Sequence, residues 1–286
     1  MLPEPFRGLV DDAAVFPPGD APLPEALTAY VGRRDEWYAD LVASFVVTDV
    51  AIPEVTEAVP LSVVVTGGAG AIAGALKLAA KRDLTVAGLE IALRDPDDLP
   101  GNARRVTAAV DAARADGALD VDTPVYVELP QTEASASWLA AADVVAEGEH
   151  RLKFRTGGLE ADRFPPPETL AGWIDAALDR ETPFKCTAGL HHAIAHRDHE
   201  TGFPHHGFLN VLLATRQAFD GASTAEVATL LADHYPNDLV ALARQSLQSG
   251  ALAGARRWFV SFGSCSVHEP LDDLVGLGLV VEEATA

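Results

Sequence analysis

Residues 183–207 read PFKCTAGLHHAIAHRDHETGFPHHG, and six of the chain's nine histidines lie between His191 and His206. Phe184, Cys186 and Ala188 alternate with Lys185 and Thr187, the period of two that marks a strand, and Gly189 ends it. One strand thus delivers a lysine and then a run of imidazoles to one place. A lysine desolvated at a strand end beside another cation has a lowered pKa and can form a Schiff base with a carbonyl substrate. His191 and His192, just beyond it, can carry protons.

Lysine is scarce in this chain. Of 21 Lys plus Arg only four are lysines, at positions 77, 81, 153 and 185. Lys77 and Lys81 share a helix face, whereas Lys153 and Lys185 fall in strand-like segments, where a lysine is almost never buried unpaired. Both are therefore expected to meet carboxylates or an anionic ligand.

The segments that must position these groups alternate along the chain. Strand patterns cover 8–16, 41–48, 61–66, 84–93, 124–129, 150–156, 183–188 and 256–262. Helical patterns cover 25–34, 69–82, 102–115, 133–147, 167–179, 208–219, 224–234 and 237–249. Eight strands interleaved with helices over 286 residues predict an α/β fold of the (β/α)8 TIM-barrel type. The expectation is one domain over 1–286, with a long insertion after the seventh strand.

In such a barrel apolar strand residues face the helices and polar ones point inward, toward the C-terminal mouth. Alternation sends Leu89, Ile91, Val125, Val127, Leu152, Phe154, Phe184 and Cys186 outward. It sends Glu90, Tyr126, Glu128, Lys153, Arg155, Lys185 and Thr187 inward. Burying any of these charges alone costs several kcal/mol, so they must pair or bind a charged ligand. Asp11 and Asp12, near the end of the first strand, are further candidates for the rim.

The leading expectation is an enzyme of lyase, aldolase-like or isomerase type acting on a small carboxylate or phosphate. Lys185 or Lys153 would supply the amine, and Glu128, His191 or His192 the proton transfer. Arg155, Thr156, Gly157 and Gly158 offer a donor fork followed by glycine N–H groups suited to an anion, with Thr187 and Ser264 beside them. That reading needs no cofactor. The alternative is a divalent ion (Zn, Mn or Fe) held by His191, His192 and His196 with Glu90 and Glu128. A non-enzymatic binding barrel with a metal- or pH-sensitive His loop is a third class. Cys265 and His268 offer a separate nucleophile and base in the loop after the eighth strand.

Composition limits the partners. The net charge of −21 repels phosphodiester backbones and anionic membranes, so no nucleic acid and no membrane partner is expected. Two cysteines fit a reducing compartment, and the first residues, MLPEPFRGLVDD, lack the basic and apolar regions of a signal peptide. Together these predict a cytoplasmic protein. The apolar tail LVGLGLVV at 274–281 suggests a subunit face, hence a homo-oligomer.

Two resemblances accompany these residues. LVDDAAVFPPGDAPLPEAL near the N-terminus and PFKCTAGLHHAIAH resemble an uncharacterised bacterial protein family, which implies a barrel only loosely and assigns no catalytic residue. VVVTGGAGAIAGALK at 63–77 resembles the glycine loop of the extended short-chain dehydrogenases, with Thr66, Gly67 and Gly70 matching and Ala73 replacing the last glycine. That likeness implies a nicotinamide-dependent oxidoreductase with Glu90 as the ribose-binding acid. The sequence departs from that family in beginning the motif after two earlier strands and in lacking its Tyr-x-x-x-Lys pair: Tyr30, Tyr38, Tyr126 and Tyr235 are followed four places on by Arg34, Val42, Pro130 and Leu239.

Overall fold

Residues 2–282 are described by a computed structural model, and its elements fall where the apolar period changes from two to that of a helix. The first half runs β1 (Val10–Asp12), α1 (Leu23–Gly32), β2 (Val42–Thr48), β3 (Leu61–Val64), α2 (Ile72–Lys81), β4 (Val86–Ala92) and α3 (Leu99–Ala115). It continues through β5 (Val125–Glu128), α4 (Ala136–Glu147), β6 (Arg151–Arg155), α5 (Pro167–Asp179) and β7 (Phe184–Thr187). A small antiparallel hairpin, β8 (His196–Arg197) and β9 (Pro204–His205), precedes α6 (Phe208–Phe219), α7 (Thr224–Leu231), α8 (Pro236–Gln248) and α9 (Ala251–Ala255). β10 (Phe259–Ser264) and α10 (His268–Gly276) follow.

Eight parallel strands close into a barrel in the order β1-β10-β7-β6-β5-β4-β3-β2, which is the expected (β/α)8 architecture. β2 and β3 are joined through a 3-10 helix at Asp49–Glu54 in place of an α-helix. Of the apolar stretch 274–281, Leu274 of α10 and Leu279 and Val280 beyond it are buried in the chain's own core, whereas Val281 is exposed.

Outward strand residues meet the helices as alternation requires. Trp138 of α4, Trp173 of α5, Phe154, Phe184 and Phe259 form one continuous aromatic layer, with centroids 5.0 to 6.3 Å apart. Each such ring contributes about 1.5–3 kcal/mol by burial. The two indoles also fix a loop at the C-terminal mouth. Trp138 Nε1 donates to Pro130 O at 3.1 Å and Trp173 Nε1 to Thr132 O at 2.9 Å, holding the segment after β5.

The insertion after β7 is tied down by one buried amide. Asn210 Oδ1 accepts from Ala195 N at 2.8 Å, and its Nδ2 donates to Leu230 O at 2.9 Å and Asp233 O at 2.7 Å. Replacing it by leucine strands two carbonyls and one N–H in the interior, at about 1–3 kcal/mol for each group. Asn210→Leu is therefore expected to lower the urea midpoint clearly. It should also raise amide exchange in 193–196 and 230–233, and unchanged exchange there would refute the tie.

Candidate active site

The inward charges form one ladder across the barrel. Lys185 Nζ bonds Asp11 Oδ2 at 2.6 Å and Glu90 Oε1 at 2.7 Å; Lys153 Nζ bonds Glu90 Oε2 at 2.7 Å and Glu128 Oε2 at 2.8 Å. Arg155 Nε closes it on Glu128 Oε1 at 2.8 Å. The register explains the order: Lys185 pairs with Lys153 across β7 and β6, and Lys153 with Glu128 across β6 and β5. Serines complete the shell, Ser44 and Ser261 donating to Asp11 at 2.5 and 2.7 Å and Ser62 to Glu90 at 2.6 Å.

This arrangement reverses the expectation of a neutral, nucleophilic lysine. Burial alone would lower both lysine pKa values, but Asp11 and Glu90 outweigh it at Lys185, and Glu128 and Glu90 at Lys153, so both are raised. Burial likewise pushes the Glu90 and Glu128 carboxyls up, yet Lys153 with Lys185, and Lys153 with Arg155, hold them below the usual range. Two ammonium groups locked between carboxylates cannot attack a carbonyl at neutral pH. Glu128 is held in its anionic form.

Other titratable and hydrogen-bonding groups lie at or beyond the C-terminal ends of the strands. Arg155 ends β6 with its side chain 38% exposed, and among the described residues only its Nε is bonded, leaving both terminal nitrogens for a ligand. Thr187 ends β7 beside it, in register with Arg155 on one side and Gly263 on the other. His191 lies just past β7. Its Nδ1 stands 2.8 Å from Glu269 Oε2 on the first turn of α10, and both ring nitrogens are 3.8 Å from Cys265 Sγ after β10. Burial lowers the His191 pKa, but hydrogen bonding to Cys265 and Glu269 overrides it and raises it to about 9. His191 is thus an imidazolium at neutral pH. The loop after β1 roofs the thiol, since a Cβ on Gly19 would come within 2.9 Å of Cys265 Cβ.

Other expected ligand groups are engaged elsewhere. Thr156 is fully buried and donates to Ala188 O at 2.6 Å. Gly157 lies so close to Gly189, whose φ is +78°, that a Cβ would sit 2.7 Å from its Cα. Gly158 packs likewise on Arg163. Thr156 and Gly157 thus dock the loops after β6 and β7 on one another. Ser264 Oγ donates to Ser266 O at 2.6 Å and stands 3.4 Å from His191 Nδ1, so this residue does border the imidazole. Asp12 faces outward to Arg33, whereas Asp11 lies at the ladder's end.

The six-histidine stretch divides by environment. His192 Nδ1 is 3.2 Å from Asp273 Oδ2, His196 stacks on His205, and His206 donates to Pro165 O at 2.7 Å. Glu90 and Glu128 are engaged with lysines, so the metal set of Glu90, Glu128, His191, His192 and His196 does not converge. Among the described residues no three His, Cys, Asp or Glu side chains come together as metal ligands would. Glu90, 2% exposed inside the barrel, is likewise out of reach of a ribose, which removes the residue the dehydrogenase likeness relied on. His268 turns to Tyr38 Oη at 3.3 Å, leaving Cys265 to His191.

Two partners had no signal in the sequence. Glu269 reads as an ordinary acid in the first turn of a helix, and the proximity of Cys265 to His191 spans two loops that only barrel closure brings together. No protein-family model, curated protein or solved structure matches the chain. Among the described residues no helix is long and apolar enough to cross a membrane.

Proposed function

We propose that this barrel is an enzyme acting on a small anionic metabolite, a carboxylate or phosphate, by proton transfer of the isomerase or lyase kind at its C-terminal mouth. The observations that carry the reading are His191 clamped between Glu269 and Cys265 in the loop after β7 and, at the end of the neighbouring β6, an arginine with free terminal nitrogens. Arg155 takes the anion in a forked hydrogen bond and the Thr187 hydroxyl adds a third contact. His191, cationic and aimed by Glu269, donates a proton to the substrate oxygen that gains charge or leaves. The ladder beneath fixes Arg155 through Glu128, so the anchor pays little entropy on binding.

Thermal shift with a panel of 2-oxo acids, 2-hydroxy acids and sugar phosphates tests this. A ligand present at about a hundred times its Kd should stabilise the protein by about 2.7 kcal/mol. Arg155→Met should remove that gain, and NMR of the stabilising compounds should show turnover that His191→Gln abolishes. Stabilisation and turnover that survive both substitutions would sink the reading.

A further inference from the structure

The N-terminal end of the barrel holds a cavity of about 240 Å³, lined by Asp11, Ser44, Ser62, Tyr126, Arg151, Lys185 and Ser261, with Gly8, Ala43, Ala87 and Val260 around it. These residues precede or begin their strands, which places the cavity at the N-terminal mouth. Barrels ordinarily fill this layer with branched apolar side chains. Here Ser44, Ser62, Gly88 and Ser261 leave the volume empty of protein, and the groups around it are buried and polar.

The hydrogen-bond donors left over belong to Arg151, Lys185 and Tyr126, while the three serine oxygens keep lone pairs that can still accept. All three serine hydroxyls already donate to Asp11 or Glu90, and Asp11 accepts from Ser44, Ser261 and Lys185. Lys185 uses two of its N–H groups on Asp11 and Glu90, and its Nζ stands 5.0 Å from the Tyr126 ring centre. The Tyr126 oxygen accepts from Arg151 Nη1 at 3.1 Å, and among the described residues nothing accepts the phenol's own proton. Burial raises the Tyr126 pKa, so that proton stays. The Arg151 guanidinium, 5.6 Å from the Tyr126 ring centre, makes no other hydrogen bond among the described residues. Arg256 stands behind, bonded to the carbonyls of Arg7, Gly8, Phe259 and Val260, and burial brings its pKa down to about 10, which leaves it a cation.

We propose that the N-terminal mouth is a second binding site, distinct from the one around Arg155, for a small oxyanion held by Arg151, Tyr126 and Lys185. The unengaged donors belong to two cations and a phenol, so an acceptor-rich, negatively charged group complements them, and the serine oxygens can accept from a protonated oxygen of the same ligand. The volume admits inorganic phosphate or a carboxylate of a few carbons. Water is the competing occupant, since the same space holds about eight molecules at liquid density.

Calorimetric titration of the full chain at low salt with inorganic phosphate, acetate and succinate separates the cases and identifies the oxyanion. The expected result is saturable binding of one of them that Arg151→Met weakens by about tenfold or more. Tyr126→Phe, which removes only the phenol hydroxyl, should weaken it too. Arg155→Met leaves it unchanged, and this arm separates the two mouths. Absence of binding at millimolar concentrations, or binding indifferent to Arg151→Met and Tyr126→Phe, would overturn the proposal and leave the cavity to water.

Discussion

Lys185→Met is expected to destabilise the protein by about 3–5 kcal/mol, a fall in melting temperature on the order of 10 °C. The ammonium is the shared cation of Asp11 and Glu90, each within 2.7 Å and itself buried. Removing it leaves Asp11 with only serine hydroxyls and Glu90 with Lys153 and the Ser62 hydroxyl. The penalty comes from the orphaned carboxylate more than from the lost attraction, so Asp11→Asn in the same chain should recover part of it. The double variant then costs less than its two single variants added together. The pH dependence has a definite sign. Both lysine pKa values lie above the ordinary 10.5, so their contribution is complete below that pH and fades as pH rises through the folded-state values. Glu90 and Glu128 are depressed below 4.5, so theirs is complete above that pH and fades as pH falls through the folded-state values. The ladder's own contribution should be nearly flat from about pH 5 to pH 10, where none of these groups changes charge, whereas the raised His191 contributes stability that fades as pH rises through about 9. A Lys185→Met protein as stable as wild type in guanidinium titrations would show that the ladder is not what holds the interior.

The same ladder shows what a sequence can and cannot reveal. Period-two alternation depends on backbone geometry alone, so it placed Glu90, Tyr126, Glu128, Lys153, Arg155 and Lys185 inside the barrel correctly. The scarcity of lysine marked Lys153 and Lys185 for a paired interior. Alternation says nothing of height along the barrel axis, which depends on strand stagger. Hence Lys185, expected at the catalytic mouth, reaches toward the cavity at the other end, while Arg155 faces the C-terminal one. Nor does it say which charges pair. The lowered lysine pKa was inferred from a neighbouring cation, but Asp11, far away in sequence and adjacent only after β1 closes on β10, reverses the sign. Likewise the density of histidines pointed to the right loop but not to the right ring. His191 differs from its neighbours through Glu269 and Cys265, both delivered from after β10.

Glu269→Gln provides the sharpest test of His191 once a substrate is in hand. With His191 near 9 and acting as the acid, wild-type kcat should hold through neutral pH and fall as pH rises through about 9. The carboxylate 2.8 Å from Nδ1 favours the imidazolium, so removing its charge lets the ring's pKa drop toward the ordinary 6.5. The falling limb of the profile should therefore move to lower pH, and KM for the anion should stay as it was because Arg155 is untouched. His191→Gln should lose about 10²–10⁴ in kcat and the limb with it. A limb that stays in place in Glu269→Gln would mean that another group titrates. If instead both variants raise KM at constant kcat, His191 binds the anion alongside Arg155 and the proton comes from elsewhere. The limb position and the split between kcat and KM thus separate a proton donor from a second anion anchor, which loss of activity alone cannot do.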